Sequence, residues 1–150
     1  VDGEPRAAAS TYGPGEFWPG PIAQPGVPPS DCAEFDQIWT LTNSREIYPE
    51  HESDYTQVLL TWPAHLGAPY AEIDGIEGFS PRDGDRPVIL GDQMHWWVMN
   101  DAGNIHERSR SNPLAVEVRA SAFGFKGEGI LRNTTFLRYE VINMSGGPIR

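Results

Sequence analysis

The alternation of apolar and polar residues is clearest near the carboxyl end of the chain. Every second residue is apolar in the run Leu114, Val116, Val118, Ala120 and Ala122. A period of two is typical of a half-buried β-strand, so the residues between them, Glu117, Arg119 and Ser121, are expected on a solvated face. Residues 130–143 repeat the pattern, with Leu137, Tyr139 and Val141 on one face and Arg138 and Glu140 on the other.

These two segments predict a long C-terminal hairpin. Glycines at 127 and 129 favour a two-residue turn between them. That turn sets Val118 opposite Leu137 and Glu117 opposite Arg138. A register shifted by two residues would oppose Glu117 and Glu140, and like charges directly opposed are unfavourable.

The earlier part of the chain predicts shorter elements. Residues 38–42 and 94–99 have the composition of strands, and residues 88–90 suggest a brief one. Tyr55, Val58, Leu59 and Trp62 share one helical face, and a proline at 63 ends that helix. The predicted fold is therefore mainly β: an antiparallel sheet or sandwich with one or two short helices and long ordered loops.

Proline and glycine dominate the first 30 residues, which contain seven and five of them respectively. Such a composition disfavours regular structure, so we expect an extended arm at 1–30 and a β-rich domain at 31–150. An aromatic pair in a stiff segment, Phe17, Trp18, Pro19 and Pro21, is the expected interface, either on the arm's own domain or on a neighbouring subunit.

Length and charge narrow the class of protein. The chain has 150 residues, enough for one domain, and a formal net charge of −10. Acidic residues concentrate before position 102, which argues against a nucleic-acid partner. No apolar run approaches the ~20 residues of a membrane span, so no membrane insertion is expected. The start at Val1 suggests a processed or excerpted chain, and Cys32, alone, forms no internal disulfide.

Five carboxylates interspersed with glycines form the most unusual stretch: Asp74, Glu77, Asp83, Asp85 and Asp92. Calcium prefers several oxygen ligands on a loop that folds around it, so these residues are the candidate ligands of a Ca²⁺ ion. Their spacing does not fit an EF-hand. The alternative is that the carboxylates cap turns by accepting backbone amides.

Signatures of catalysis are weak in this sequence. The four histidines lack zinc-site spacing, and no G-x-S-x-G elbow is present, so no catalytic residues and no enzyme activity are predicted. The alternative function is a carbohydrate-binding module, or an accessory domain of a glycan-active enzyme, in which Trp96 and Trp97 stack on sugars. Adjacent strand residues point to opposite faces, so an aromatic core is the competing explanation.

Several strings, in order, resemble one group of secreted proteins. They are Phe17-Trp18-Pro19-Gly20-Pro21, Asp31-Cys32-Ala33-Glu34-Phe35-Asp36, Trp62-Pro63-Ala64-His65-Leu66-Gly67-Ala68-Pro69, Gly91-Asp92-Gln93, Trp96-Trp97-Val98-Met99-Asn100-Asp101 and Asn133-Thr134-Thr135-Phe136. Together they are similar to the N-terminal region of large surface proteins exported by the bacterial type IX secretion system. The resemblance implies an extracellular location and a longer polypeptide with a C-terminal sorting domain. It also implies calcium, because members carry an Asp-Gly repeat at the position of residues 73–78.

The expected function is that of a non-enzymatic extracellular or cell-surface module with a structural or adhesive role. Self-assembly, for example into a filament, would use the arm or a free strand edge. The expected partner is another copy of the chain or another surface protein.

Overall fold

The computed structural model describes residues 6–7, 16–22, 35–42 and 57–149. Seven strands are described: β1 (Trp18–Pro19), β2 (Trp39–Thr42), β3 (Tyr70–Ala71), β4 (Arg86–Pro87), β5 (Gln93–Asn100), β6 (Val116–Gly124) and β7 (Thr135–Asn143). A short helix covers residues 57–60, and 3-10 turns lie at Ala64–Leu66 and Ile130–Asn133.

The described residues form two antiparallel sheets, which confirms the predicted mainly-β fold. The larger sheet has the order β1-β5-β6-β7, and β2 also pairs with β5. The smaller sheet contains β3 and β4. Within the described part of the predicted helix, residues 57–60 are helical, whereas residues 88–90 lie just after β4 and are not a strand. Residues 43–56 and most of the arm lie outside the described residues.

Contacts divide the chain into two compact units, and each of the three long strands contributes residues to both. Unit 1 contains residues 1–37, 98–119 and 139–150, and unit 2 contains residues 38–97 and 120–138. The division into an arm at 1–30 and a domain at 31–150 stays a prediction. No helix among the described residues is long and apolar enough to cross a membrane.

Tryptophans form the centre of unit 2. Trp39 lies opposite Trp96 in the antiparallel pairing of β2 with β5, and their ring centroids are 5.6 Å apart. Trp62 packs on Trp96 from the loop that follows the helix, at 6.3 Å. Large aromatic rings bury much apolar area, and each such pair adds about 0.5–1.5 kcal/mol beyond it. This cluster explains why Trp96 of β5 is buried.

The pairing of β6 with β7 differs from the predicted hairpin. The Met144 amide donates to the Ala115 carbonyl at 2.9 Å, just beyond the ends of the two strands. At the other end Phe123 and Phe136 stack with centroids 5.3 Å apart. Both observations fit one register, in which β6 and β7 begin and end together and Val118 lies opposite Val141.

The predicted turn at 126–129 is therefore wrong, and so is the register that depended on it. Residues 125–134 connect the strands as a longer loop that includes the Ile130–Asn133 turn. The observed register stacks two phenylalanines and opposes Arg119 with Glu140, so it satisfies charge complementarity as well as aromatic packing.

The prediction that one face of β6 is solvated is also wrong. Glu117 is 2% exposed and Ser121 is 7% exposed. The Glu117 carboxylate accepts the Ile22 amide at 3.0 Å and Arg119 Nε at 2.8 Å. A buried charge that is paired and hydrogen-bonded is tolerated in a core, so the polar face of β6 is a packed face.

Candidate functional site

Asp85 organises the acidic loop between β3 and β4. Its side chain is fully buried. Oδ1 accepts the Ile73 amide at 2.7 Å, and Oδ2 accepts the Ser80 amide at 2.9 Å. One carboxylate thus joins the start of the loop to its middle and its end.

The same hydrogen bonds control the charge of Asp85. The Ser80 amide has the largest effect and lowers the pKa of Asp85 below its ordinary value of 3.8, and the Ile73 amide acts in the same direction. Burial opposes this change, while the nearby Arg86 adds to it. The carboxylate is therefore ionised at neutral pH and holds the loop in that state.

The other predicted calcium ligands have separate local contacts. Asp74 accepts an amide two residues further on at 2.9 Å, and Asp83 accepts the hydroxyl of a serine three residues before it. Asp92 accepts the Lys126 amide at 2.7 Å, whereas Glu77 is exposed. Within residues 57–149, which include all five, no three His, Cys, Asp or Glu side chains are grouped to hold a metal. The structure therefore places most of these carboxylates as turn caps, and calcium binding stays a prediction.

The predicted docking segment packs within its own chain, in unit 1. Trp18 and Pro19 form β1, which pairs with the end of β5. Trp18 Nε1 donates to Asn104 Oδ1 at 2.8 Å. Phe17 and Pro21, on either side, are half-buried. Contact of these residues with a second copy stays a prediction.

Sequence reasoning missed a group of buried polar side chains in unit 1. The group consists of Glu16, Asn100, Asp101, His106 and Glu117, each between 0% and 2% exposed. The available signal was a polar, turn-rich segment at 100–112 directly after an apolar strand. Such a segment needs partners for its backbone amides once it is covered.

Carboxylates supply many of those partners. Asp101 Oδ1 accepts the Val116 amide and Oδ2 accepts the Leu114 amide, both at 2.7 Å. Glu16 Oε1 accepts the Arg108 and Ser109 amides at 3.0 and 3.1 Å. Charge-assisted bonds of this kind are stronger than neutral ones, so the loop before β6 is held firmly.

His106 lies at the centre of this group. Nδ1 is 2.8 Å from the Ala7 carbonyl oxygen, and Nε2 is 3.1 Å from that of Asp101. Ser111 Oγ is 3.4 Å from Nδ1, an order of groups that resembles a Ser-His-Asp triad. However, the Ser111 hydroxyl donates to the Ala7 carbonyl at 2.8 Å, and His106 is 0% exposed. The arrangement fastens residue 7 to the loop.

The tryptophans proposed for sugar stacking occupy different environments. Trp96 is 1% exposed beneath Trp39 and Trp62, so the prediction that it stacks on a sugar is wrong. Trp97 points to the other face of β5 and is half-buried. Sugar binding by Trp97 stays a prediction.

Two open clefts lie on unit 2. One, of about 340 Å³, is lined in part by Tyr70 and Phe79, whose rings meet edge to face at 5.5 Å. The other, of about 490 Å³, is bordered by the basic residues Lys126 and Arg132 and by the acidic Asp92. The first could accept a small apolar group, and the second a polar one.

The open side of β7 is the most extended candidate surface. The backbone amide and carbonyl of Val116 both form hydrogen bonds with Asp101, so these backbone groups point away from β7. The backbone groups of the next residue, Glu117, consequently point toward β7, because ladder bonds of an antiparallel strand alternate in direction. In the observed register Arg138, Glu140 and Ile142 therefore bond β6.

The alternate residues of β7 point their backbone groups the other way. They are Thr135, Leu137, Tyr139, Val141 and Asn143. In the sheet order of the described strands, β7 is the last. Leu137, Tyr139 and Val141 also carry apolar side chains that are 57%, 53% and 67% exposed. A long edge strand with exposed apolar side chains is a template for pairing with another strand.

Comparison with known proteins identifies no relative. The chain matches no protein family, and no curated protein and no solved structure is significantly similar to it. The fold defines a mainly-β protein.

Proposed function

We propose that this chain is a non-enzymatic structural or adhesive module of an extracellular surface protein, and that it joins its partner by strand addition along β7. The observation that carries the proposal is the nine-residue strand Thr135–Asn143, which is last in the sheet order of the described strands and carries exposed apolar side chains. Main-chain hydrogen bonds supply affinity in this mode of recognition, and the alternating side chains supply specificity.

The buried carboxylates support a structural role. Asp85, Asp101, Glu16 and Glu117 all accept backbone amides from loops. Carboxylates used in this way fix loops in place. Loops that are already ordered lose little conformational entropy when a partner binds.

The extracellular location rests on the resemblance to proteins of the type IX secretion system. The strings that carry it include Phe17–Pro21 and Trp96–Asp101, which contribute to β1 and β5. A module of a longer exported polypeptide would meet its partners at the cell surface. Labelling of intact cells by a membrane-impermeant reagent should modify the chain, and labelling only after lysis would contradict this location.

Hydrogen exchange tests the use of the β7 edge. We expect the amides of Leu137, Tyr139 and Val141 to exchange rapidly in the isolated chain and slowly in the assembly isolated from the cell surface. The amides of Arg138 and Glu140 serve as internal controls, because the ladder with β6 protects them in both samples. Equal, rapid exchange of the three outer amides in the assembly would overturn the proposal.

A further inference from the structure

The sequence of β7 is complementary to itself. We propose, on the basis of the proposed function, that the strand added along β7 is β7 of a second copy, antiparallel and centred on Tyr139. In that register Arg138 of one copy lies opposite Glu140 of the other, twice by symmetry. Leu137 likewise lies opposite Val141, and Tyr139 lies opposite its own counterpart.

Backbone geometry permits this register. Leu137, Tyr139 and Val141 direct their amides and carbonyls away from β6, so the two copies offer matching donors and acceptors at every second residue. The symmetry axis passes through a hydrogen-bonded pair at Tyr139. A two-fold interface uses the same surface patch on both copies, as this arrangement does.

Charge selects this register over its neighbours. The outward backbone groups restrict an antiparallel pair to shifts of two residues. A shift in one direction opposes Arg138 with Arg138, and a shift in the other opposes Glu140 with Glu140. Like charges directly opposed are unfavourable, whereas opposite charges contribute favourably. The register centred on Tyr139 alone opposes unlike charges at both positions.

The exposed apolar side chains favour the same partner. Residues directly opposite across an antiparallel pair share a face, so Leu137, Tyr139 and Val141 of both copies would form one apolar row. Each of these side chains is more than half exposed in the single chain. Pairing would bring them against one another and remove part of their surface from water.

Charge reversal tests the register in solution. Arg138→Glu alone and Glu140→Arg alone each create two like-charged contacts, so each should weaken dimerisation roughly tenfold in sedimentation velocity. The double variant restores unlike pairs and should dimerise like the unaltered chain. An equimolar mixture of the two single variants should form mixed dimers in preference to either homodimer, which native mass spectrometry resolves.

Matched controls separate register from net charge and folding. Arg132→Glu and Glu128→Arg make the same charge changes in the exposed loop before β7, and both should leave dimerisation unchanged. Thermal melting of every variant checks that the fold persists. If the single variants and the loop controls weaken association equally, or if the mixture shows no preference, the proposed register is overturned.

Cysteine trapping tests the same register independently of charge. In a Cys32→Ser background, Tyr139→Cys should form a disulfide between copies, since hydrogen-bonded pairs bring Cα atoms about 5.5 Å apart. Leu137→Cys should cross-link to Val141→Cys and not to itself. Self-cross-linking at 137, or a chain that stays monomeric, would overturn the inference. If the outer amides of β7 are nevertheless protected in the native assembly, the edge pairs with a different strand and the proposed function stands.

Discussion

Buried carboxylates in this chain act through the backbone amides that they accept. Asp85 and Asp101 are fully buried, and each accepts hydrogen bonds from two backbone amides. Their identity could not be predicted from the sequence, since Asp74, Asp83 and Asp92 occur in equally polar contexts. Asp85 differs from them because the fold brings its carboxylate within hydrogen-bond distance of the Ile73 and Ser80 amides. That proximity depends on how β3 and β4 pair.

Asp85 should make stability depend on acid. Its pKa is lowered in the folded chain, chiefly by the Ser80 amide. The stabilising effect of Asp85 is therefore present above pH 3.8 and is lost as pH falls through the folded pKa. Asp85→Asn should lower Tm at pH 7, and the difference from the unaltered chain should shrink below pH 3.8. Asp83→Asn is the matched control. A difference that stays constant from pH 7 to about pH 2 would contradict the assignment.

Asp101 should be among the most sensitive positions in unit 1. Asp101→Ala leaves the buried Val116 amide and the half-buried Leu114 amide without their acceptor, which costs roughly 2–5 kcal/mol of the free energy of unfolding. Asp83→Ala, at an exposed position, should cost less than about 1 kcal/mol. Urea unfolding measures both values, and similar losses would show that the Asp101 bonds contribute little.

Among the elements, alternation and composition predicted strands well and their pairing poorly. The patterns at 38–42, 94–99 and 114–122 correspond to β2, β5 and β6. The hairpin register failed because glycines at 127 and 129 suggested a tight turn, whereas stacking of Phe123 on Phe136 favours a longer loop. Residues 88–90 have strand composition, yet the ladder between β3 and β4 ends at the pair of Tyr70 and Pro87.

The turn before β5 requires glycine at position 91. Gly91 has φ +69°, and a Cβ there would collide with the Gly124 carbonyl oxygen. Gly75 has φ +75°, and a Cβ there would meet no atom within 4 Å. Gly75→Ala therefore measures the cost of the backbone conformation alone, about 1 kcal/mol. Gly91→Ala should therefore lower the free energy of unfolding by at least about 1 kcal/mol more than Gly75→Ala does. Equal losses would show that the turn moves freely away from Gly124.

Calcium binding by the acidic loop has a direct test. A bound ion that favours the folded state raises Tm with its concentration. A rise in Tm in millimolar calcium that Asp83→Asn and Asp74→Asn abolish would support the prediction. A Tm that is the same in calcium and in EDTA would remove calcium from the description of this loop and leave the amide bonds of Asp85 as its support.

For the whole molecule, long-range charge opposes the association proposed along β7. Each copy has a formal net charge of −10, so two copies repel over distances greater than the contact itself. The net charge follows directly from the sequence. The position of β7 at the end of the described sheet does not, because it depends on the order in which the strands pair. The balance between repulsion and strand pairing sets the affinity of the proposed dimer.

Salt should consequently strengthen dimerisation. Raising ionic strength from about 10 mM to about 150 mM shortens the screening length from about 30 Å to about 8 Å, which removes most of the repulsion between copies. The two Arg138–Glu140 contacts are screened as well, but they are few beside the net charge. Sedimentation at both salt concentrations measures the change, and weaker association at the higher concentration would show that the local ion pairs dominate.

The loop at 125–134 offers a way to follow the protein in living cells. The backbone at Gly127 and Gly129 borders open space, because a Cβ at either position would meet nothing within 4 Å. A small fluorescent tag inserted there would leave both long strands of the hairpin, and the outward amides of the last one, in place. Tagged and untagged copies could then be mixed to watch recruitment directly.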